Sequence, residues 1–345
     1  MFYTEKEIMQ QHSALKQTYE YFNQKKDTIA DFFSNNKTQK FTFLGCGSSY
    51  MLAKSGQRLF CQYENTSAAA IAGGDFLMNS KTYEEFVKDS IVICLSRSGK
   101  TSEIVRSVKY IKENYRCPVV SVSMEKENAL LDYSDLDLVM EWAYDNSVCQ
   151  TRTVTNLYLA LLMLVSCYAE DEELKKSAKL MILENEVFKK RNRPLLRVIA
   201  QSDWEKAVVL ADGSVCGIAE EGALAFTEIS RIPGYYSNVL DYRHGPMVLN
   251  NEKTVNIVMT TAEDEELLSA MICDIKKRKG ITITASDKQE NIYGADLHVY
   301  LGNVQRKEAL GIPFIFIMQM LAYEKAIFKG CNPDVPEGLN AYITL

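Results

Sequence analysis

Short apolar runs alternate with segments of helical periodicity along most of the chain. In the first half, the apolar runs fall at 41–44, 68–72, 91–95, 118–123 and 136–140. Between them lie segments whose apolar positions repeat at helical spacing, namely 49–62, 101–115 and 152–169. A strand that is buried on both faces is a continuous apolar run, and its alternation with helices is typical of a parallel sheet covered by helices. The pattern therefore predicts an α/β fold.

Two segments depart from this alternation. Residues 4–33 carry Ile8, Leu15 and Phe22 at roughly helical spacing with no strand signal, which predicts an N-terminal helical arm over 1–36. Residues 171–200 are charged and helical, with Pro194 among them, and we interpret them as a connector.

The alternation returns after the connector. Runs at 208–215, 255–261, 281–286 and 296–299 follow the order of the first half, with Asp296 aligned to Asp137, and the apolar helix 311–328 corresponds to 152–169. Equivalent segments lie about 160 residues apart, so we interpret the chain as an internal duplication. The predicted domains are 37–170 and 201–330, followed by a tail over 331–345.

Two of the apolar runs end in small, hydroxyl-bearing and glycine residues. Gly45-Cys-Gly-Ser-Ser49 follows the first run, and Ser96-Arg-Ser-Gly-Lys-Thr101 follows the third. A strand, a tight turn and a helix N-terminus present unpaired backbone N–H groups and a helix dipole, which favour an anion. Hydroxyl groups that can converge on phosphate oxygens belong to Ser48, Ser49, Ser96, Ser98 and Thr101. Two such turns in one sheet predict a pocket for a phosphorylated small molecule.

The first turn, taken alone, has two other interpretations. It could be only a sheet-to-helix connection, or part of a dinucleotide-binding fingerprint, although Gly45-x-Gly-x-x-Tyr50 lacks the third glycine. The corresponding turn of the second half is Thr260-Thr-Ala-Glu-Asp-Glu265, whose acidic residues would repel phosphate. We therefore expect one half to hold the anion and the other to complete the site.

Candidate proton-transfer groups lie in the second half. Glu228 follows Glu220 and Glu221 by about two helical turns, near one face of an otherwise apolar helix. Clustered carboxylates suit general acid–base chemistry, although a lone glutamate is more often exposed or salt-bridged. His244, in Arg-His-Gly-Pro, is expected in a loop, where functional side chains concentrate. His12 and His298 are interpreted as structural or exposed, and without a pair at ligand spacing we expect no metal site and no cofactor.

Composition narrows the class of protein. The length of 345 residues favours two domains, and 47% hydrophobic with 24% charged residues is ordinary for a globular protein. The net charge of −6 gives no long-range attraction for nucleic acid or an anionic membrane. Nine cysteines without a Cys-x-x-Cys pair indicate a reducing compartment, and the apolar run 157–169 is short for a membrane span. These features predict a cytoplasmic protein with no nucleic-acid or membrane partner.

These residues resemble the SIS (sugar isomerase) family, and within it the isomerase halves of glutamine–fructose-6-phosphate aminotransferases. The likeness runs almost from end to end. The motifs that carry it are Cys46-Gly-Ser-Ser-Tyr50, Leu95-Ser-Arg-Ser-Gly-Lys-Thr101, Val148-Cys-Gln-Thr-Arg152, Glu221-Gly-Ala-Leu224, Glu228-Ile-Ser230 and His244-Gly-Pro246.

The resemblance implies two tandem domains, each a five-stranded parallel sheet with helices on both faces (a flavodoxin-like sandwich). It implies that Glu228 moves a proton between C1 and C2 of a sugar 6-phosphate substrate. It also implies that His244 assists ring opening, inserted from the neighbouring subunit of a homodimer. Val148 and Gln150 would face the sugar, and the phosphate would be bound by Gly47, Ser48, Ser49, Ser96, Arg97, Ser98 and Thr101.

The chain also departs from the pattern of the family. It opens with Met-Phe rather than a nucleophilic cysteine, so we expect no glutaminase domain and no ammonia from glutamine. The family's synthases carry lysines where this chain has Ala225 and Ala341. A lysine can form a Schiff base with a ketose carbonyl, and an alanine cannot. Arg97 replaces a glutamine in the second loop and adds a positive charge near the phosphate.

The leading interpretation is an enzyme that transfers a proton between C1 and C2 of a hexose or aminohexose 6-phosphate. Without an enzyme lysine, the substrate can carry the amine itself, as aminosugar phosphates and fructosamine 6-phosphates do, which favours a deglycase or deaminase. Ketose–aldose isomerisation needs the same carboxylate and stays open. An alternative from another class is a non-catalytic sugar-phosphate-binding regulator, because SIS domains also serve as ligand-binding modules.

Overall fold

A computed structural model describes residues 2–261 and 263–340, and the chain divides into two compact units. The first unit is built mainly from Gln11–Asp145 and Gln150–Lys176. The second unit contains residues 2–10, 146–149 and 177–339. The predicted N-terminal arm is helical but is shared between the units: α1 (Tyr3–Met9) belongs to the second, whereas α2 (Gln11–Gln24) and α3 (Lys26–Asn35) belong to the first.

The first unit holds a five-stranded sheet in which every pairing is parallel, in the order β2-β1-β3-β4-β5. Buried β-branched and apolar runs form its centre, and α7 packs on it through Ile104, Val108 and Ile111, one helical face. The elements are β1 (Lys40–Gly45), α4 (Ser48–Phe60), β2 (Ser67–Ala72), α5 (Gly73–Asn79), α6 (Glu84–Val87), β3 (Ile91–Leu95), α7 (Ser102–Tyr115), β4 (Val119–Ser123), β5 (Leu136–Val139) and α8 (Arg152–Tyr168).

The second unit repeats this arrangement, with the parallel strand order β7-β6-β8-β9-β10. It is the order of the first sheet with each strand replaced by its counterpart, so the predicted duplication and the two α/β sandwiches are confirmed. The elements are α9 (Glu172–Ala200, which contains Pro194), β6 (Lys206–Leu210), α10 (Cys216–Ile229), β7 (Gly234–Ser237), β8 (Thr254–Met259), α11 (Glu265–Lys277), β9 (Ile281–Ser286), β10 (Leu297–Tyr300) and α12 (Gly311–Lys329).

One part of the repeat alignment is wrong. Asp135 and Asp296 each stand directly before the last strand of a sheet, and each carboxylate accepts a backbone N–H bond from the neighbouring strand, at 2.8 Å from Val119 and 2.7 Å from Thr282. Asp296 therefore matches Asp135 and not Asp137. The true counterpart of Asp137 is His298, whose Nδ1 lies 3.0 Å from Thr284 Oγ1, as Asp137 Oδ1 lies 2.6 Å from Ser121 Oγ. His298, interpreted from the sequence as structural or exposed, is half-buried and pairs with Thr284 in this position.

The helix α12 is long and rich in apolar residues. Together with the turn before it, over Lys307–Lys329, it is long and apolar enough to cross a membrane, but 94% of its most apolar window is buried inside the protein. Gly222 of α10 packs directly against it, because a Cβ there would lie 2.6 Å from Met318 Cε. The burial and this close contact are those of a core helix.

Candidate active site

The first serine-rich turn connects β1 to α4 through a close backbone approach. A Cβ on Gly45 would lie 2.4 Å from the carbonyl carbon of Ser49, so only glycine allows the strand to meet the helix here. Gly47 adopts φ 54°, and the N–H groups of Ser49 and Tyr50 bond to the carbonyls of Cys46 and Gly47 at 3.1 and 2.9 Å. The turn places Ser48 and Ser49, both buried, in the first turn of α4.

The second turn connects β3 to α7 and is fixed to β4. Ser96 N–H donates to Val122 O at 3.1 Å, and Met124 N–H donates to Arg97 O at 2.9 Å. Within the turn, the hydroxyl oxygens of Ser96 and Ser98 accept from the N–H groups of Gly99 and Lys100, at 3.0 and 3.1 Å. Since these hydroxyls act as acceptors inside the turn, their own hydrogens can still donate to an anion.

Gly99 and Thr101 complete the second turn. Gly99 adopts φ +61°, and a Cβ on it would lie 2.3 Å from Asn128 Oδ1, so two independent constraints require glycine. Thr101 is the N-cap of α7, yet its side chain makes no capping hydrogen bond. The helix therefore leaves the Thr101 hydroxyl available for a ligand.

The two turns lie at neighbouring positions of the sheet. Strands β1 and β3 pair directly, with Leu44 opposite Cys94, and both turns follow the carboxyl ends of these strands. After β1 the chain continues to β2 on one side of the pair, and after β3 it continues to β4 on the other side. The gap between β1 and β3 is therefore the switch point of the 2-1-3-4-5 order. In open α/β sheets, ligands bind in the crevice at the carboxyl ends of the strands at such a point.

The charges of the second turn suit an anion. Arg97 is buried, and its guanidinium carbon lies 5.8 Å from the centre of the Tyr144 ring, a cation–π distance. Lys100 forms an ion pair with Glu125. Cys46 is not an activated nucleophile, because burial and then the Glu103 carboxylate raise the pKa of its thiol to about 11.

The third predicted segment, around Val148 and Gln150, crosses the boundary of the two units. Val148 belongs to the second unit, where its N–H donates to Asp334 O at 2.9 Å. Gln150 belongs to the first unit, and its Oε1 is buried without a hydrogen-bond partner among residues 2–261 and 263–340. A buried amide oxygen that lacks a partner is costly, and a polar ligand would satisfy it.

The candidate acid–base group lies on α10 in the second unit. Glu221, Ala225 and Glu228 are spaced by four and three residues, so they share one helical face. Glu221 is 1% exposed, Ala225 is buried, and Glu228 is half-buried in the last turn. Ala225, where the resemblance implies a lysine in the family's synthases, is thus buried between two carboxylates on this face. The second such position, Ala341, lies outside the described residues.

His244 lies in an exposed loop of the second unit, as predicted. It ends a short turn, Asp241–Arg243, and its N–H donates to Asp241 O at 2.9 Å. The loop is fixed to α11 because Arg243 Nε donates to Asp274 Oδ2 at 2.9 Å, and this bond with Arg243 lowers the pKa of the Asp274 carboxyl. Val248 and Leu249 nearby are 73% and 67% exposed, an apolar surface beside the histidine.

The structure thus groups the predicted residues by unit. The first unit holds Gly47, Ser48, Ser49, Ser96, Arg97, Ser98, Thr101 and Gln150, whereas the second holds Val148, Glu228 and His244. In the described part of the chain, no three His, Cys, Asp or Glu side chains form a group that could hold a metal ion.

Sequence reasoning missed several buried or half-buried polar residues. Glu7 and Asp334 hold the Val148 segment in the second unit, and Asp145 caps α8 in the first. Lys189, assigned to a charged connector, is buried, and this burial lowers the pKa of its ammonium group to about 7. The signal was present in helical periodicity, since Glu7 shares a buried face of α1 with Thr4 and Ile8, and Lys189 follows Ala178, Ile182 and Asn185 on the buried face of α9.

Known proteins share both the sequence pattern and the fold. The family model described as the SIS domain matches residues 35–167 and 201–328. The glutamine–fructose-6-phosphate aminotransferase of Wigglesworthia glossinidia brevipalpis is 27% identical over 99% of this chain. The chain spans 58% of that relative's length.

Two solved structures have the same fold at low sequence identity. The tagatose-6-phosphate ketose/aldose isomerase of Escherichia coli superimposes with a TM-score of 0.87 at 17% identity, over 99% of this chain and 95% of that one. The glucosamine-6-phosphate deaminase of Thermotoga maritima superimposes with a TM-score of 0.76 at 21% identity, over 95% and 99% of the two chains.

Proposed function

Because this chain belongs to the SIS domain family, we propose that it is an enzyme acting on a hexose or aminohexose 6-phosphate. The observation that carries the proposal is the pair of hydroxyl-rich turns at the paired strands β1 and β3, with the buried Arg97 beside them. Backbone N–H groups, serine hydroxyls and a guanidinium are the groups that bind a phosphate dianion.

The proposed reaction is proton transfer between C1 and C2 through Glu228. With a fructosamine 6-phosphate, Glu228 removes a proton from C1, and the electrons form a C1=C2 enaminol. Return of a proton to C2 gives the aldose imine, and water then releases the amine and the aldose 6-phosphate. His244 assists ring opening. The buried Ala225 supports a substrate that brings its own amine, because no enzyme amine is available at that position.

Ketose–aldose isomerisation is the second candidate, since it needs the same carboxylate and no amine. The named activities of the structural relatives, a ketose/aldose isomerase and an aminosugar-phosphate deaminase, support keeping both reactions within the proposal. Binding of sugar 6-phosphates without any turnover would instead indicate a regulator.

We also propose a cytoplasmic homodimer in which His244 serves the neighbouring subunit. The exposed position of His244 and the apolar Val248 and Leu249 beside it support this arrangement, because a second copy would cover them. Inactive His244→Ala and inactive Ser98→Ala chains should regain up to about a quarter of wild-type activity when refolded together, since half of random pairs are mixed and each has one intact site. Mixed dimers without activity would contradict the shared site.

Glu228 is tested against a matched carboxylate on the same helix. Glu228→Gln should leave binding of a sugar 6-phosphate within about twofold and lower turnover roughly 10²- to 10⁴-fold, as expected for loss of a general acid–base group. Glu220→Gln, on the same helix but outside the 221–225–228 row, is the control and should keep most of the activity. Equal losses in both variants would remove Glu228 from the proposed role.

A further inference from the structure

A four-residue stretch of the chain belongs to a different unit from its neighbours. Residues 146–149 group with the second unit, whereas Asp145 before them and Gln150 after them group with the first. The stretch contains Val148, so part of the segment proposed to face the sugar belongs to the second unit. The contacts that hold residues 146–149 in place therefore affect the position of Val148 and Gln150.

The middle of this stretch is fixed by the side chain of Glu7. Glu7 is 2% exposed, and its Oε1 accepts the backbone N–H of Asn146 at 2.6 Å and that of Ser147 at 3.3 Å. Its Oε2 accepts the Ser147 hydroxyl. A buried carboxylate that receives three donors from two consecutive residues makes charge-assisted bonds and holds that backbone in one conformation.

Asp334 links helix α1, which carries Glu7, to Val148 through a second set of hydrogen bonds. The carboxylate of Asp334 accepts the N–H groups of Tyr3 and Thr4, both at 2.8 Å, at the start of α1. The carbonyl of Asp334 accepts Val148 N–H at 2.9 Å. Helix α1, Asp334 and residues 146–148 therefore form one hydrogen-bonded network within the second unit.

Asp145, which precedes the stretch in the first unit, is held by hydrogen bonds as well. Asp145 is 1% exposed, and its carboxylate accepts the N–H groups of Thr151 and Thr153, both at 2.8 Å, at the N-terminus of α8. Asp145 is thus held by α8 within the first unit, and Asn146 is held by Glu7 within the second.

We propose that Glu7 is a positioning residue that sets the conformation of the Val148–Gln150 segment, and so the sugar-recognising part of the site, without touching the substrate. The inference rests on the proposed function only in taking Val148 and Gln150 as sugar-facing. Loss of Glu7 leaves the phosphate turns of the first unit intact, so it should weaken recognition of the sugar and spare recognition of phosphate.

Glu5 supplies a matched control on the same helix. Its carboxylate accepts bonds from Arg193 Nη2 at 2.5 Å and from the Tyr323 hydroxyl at 2.9 Å, and it makes no hydrogen bond to residues 146–149 among those described. Glu5→Gln therefore loosens the docking of α1 without releasing the Val148 segment.

The test uses the full chain with Glu7→Gln, Glu7→Ala and Glu5→Gln. For each variant, kcat and KM are measured with the best sugar 6-phosphate, the Kd of inorganic phosphate by calorimetry, and Tm by differential scanning fluorimetry.

Glu7→Ala should lower kcat/KM about tenfold or more, because the N–H groups of Asn146 and Ser147 lose their acceptor. Glu7→Gln keeps one acceptor and should lower kcat/KM less. The Kd of inorganic phosphate should stay within about twofold of the wild-type value in both variants. Glu5→Gln should keep kcat/KM within about twofold, even if its Tm falls as far as the Tm of the Glu7 variants.

The inference is overturned if the Glu7 and Glu5 variants lose kcat/KM in proportion to their loss of Tm, which is the result of a purely structural role. It is also overturned if folded Glu7→Gln and Glu7→Ala keep wild-type kcat/KM. If the wild type turns over no sugar 6-phosphate, the proposed enzyme fails separately. The readout is then the ratio of sugar-phosphate to inorganic-phosphate affinity, which the inference predicts to fall in the Glu7 variants and not in Glu5→Gln.

Discussion

Thr101→Val is the sharpest test of the phosphate turns because it removes one hydroxyl and almost nothing else. Valine keeps the volume and branching of threonine, and the Thr101 side chain makes no capping bond to α7, so the substitution removes no helix-capping hydrogen bond. Ser98→Ala is less clean, since Ser98 Oγ also accepts Lys100 N–H at 3.1 Å and the turn itself would be weakened.

The expected magnitude follows from the kind of bond. A hydrogen bond to a charged group contributes about 1.5–3 kcal/mol, which corresponds to a roughly 10- to 150-fold loss of affinity. Both a sugar 6-phosphate and inorganic phosphate should lose affinity by similar factors in Thr101→Val, because the missing donor contacts the group they share. Tm should change by no more than about 2 °C, since no buried partner is left unsatisfied.

Isothermal titration calorimetry of wild type, Thr101→Val and Thr101→Ser measures this directly. Thr101→Ser is the matched control because it keeps the hydroxyl and loses only a methyl group, and it should bind within about threefold of wild type. Normal phosphate affinity in Thr101→Val, or an equal loss in Thr101→Ser, would refute the assignment of this hydroxyl to the phosphate.

Three further predictions concern the turn and two charged side chains, Lys189 and Glu5. Gly99→Ala should abolish phosphate binding measured by calorimetry, because its Cβ would lie 2.3 Å from Asn128 Oδ1 at φ +61°. The far-ultraviolet circular dichroism spectrum should stay that of the wild type. Normal phosphate binding would show that the turn tolerates a side chain. Burial lowers the pKa of Lys189 to about 7, so the unfolded chain binds more protons than the folded one above that pH, and stability in urea should rise from about pH 7 to pH 10. Lys189→Met should flatten that rise, and an unchanged profile would contradict it. Burial opposes ionisation of Glu5, but the hydrogen bonds from Arg193 and Tyr323 outweigh burial and lower the pKa of the Glu5 carboxyl. The contribution of ionised Glu5 to folding stability is therefore present above about pH 4.5 and is lost as the pH falls. Glu5→Gln should therefore reduce the loss of folding stability at acid pH. An unchanged dependence of stability on pH in the acid range would show that Glu5 does not contribute to this loss.

Most of the fold could be predicted because buried parallel strands are continuous apolar runs. β3 and β9, for example, were predicted with the bounds that the structure gives. β7 was not predicted, because Gly234–Ser237 is a four-residue edge strand with exposed and half-buried positions, and it lacks an apolar run. The division of the chain also escaped prediction, since the membership of α1 and residues 146–149 in the second unit depends on side-chain bonds between segments far apart in sequence.

The candidate site could be predicted where it depends on local chemistry. Glycines and hydroxyl residues directly after a strand specify a turn at a helix N-terminus, so Ser48, Ser98 and Thr101 could be placed in such turns from sequence order alone. The roles of Glu7 and Asp145 depend on which backbone N–H groups their carboxylates meet, and sequence spacing does not reveal that. Helical periodicity marks Glu7 as a buried acid, but only the structure supplies its partners.

Isotope labelling at C2 tests the central claim, C1–C2 proton transfer on a sugar 6-phosphate, most directly. The protein is incubated in deuterated water with a fructosamine 6-phosphate and, separately, with fructose 6-phosphate, and the products are followed by proton NMR. The account predicts an aldose 6-phosphate that carries deuterium at C2, with release of free amine from the aminated substrate, and a rate at least about 100-fold lower for Glu228→Gln. Turnover of fructose 6-phosphate alone, with the same label, would select the isomerase over the deglycase. An aldose product without deuterium at C2 that forms at the wild-type rate in Glu228→Gln would contradict proton transfer by this residue.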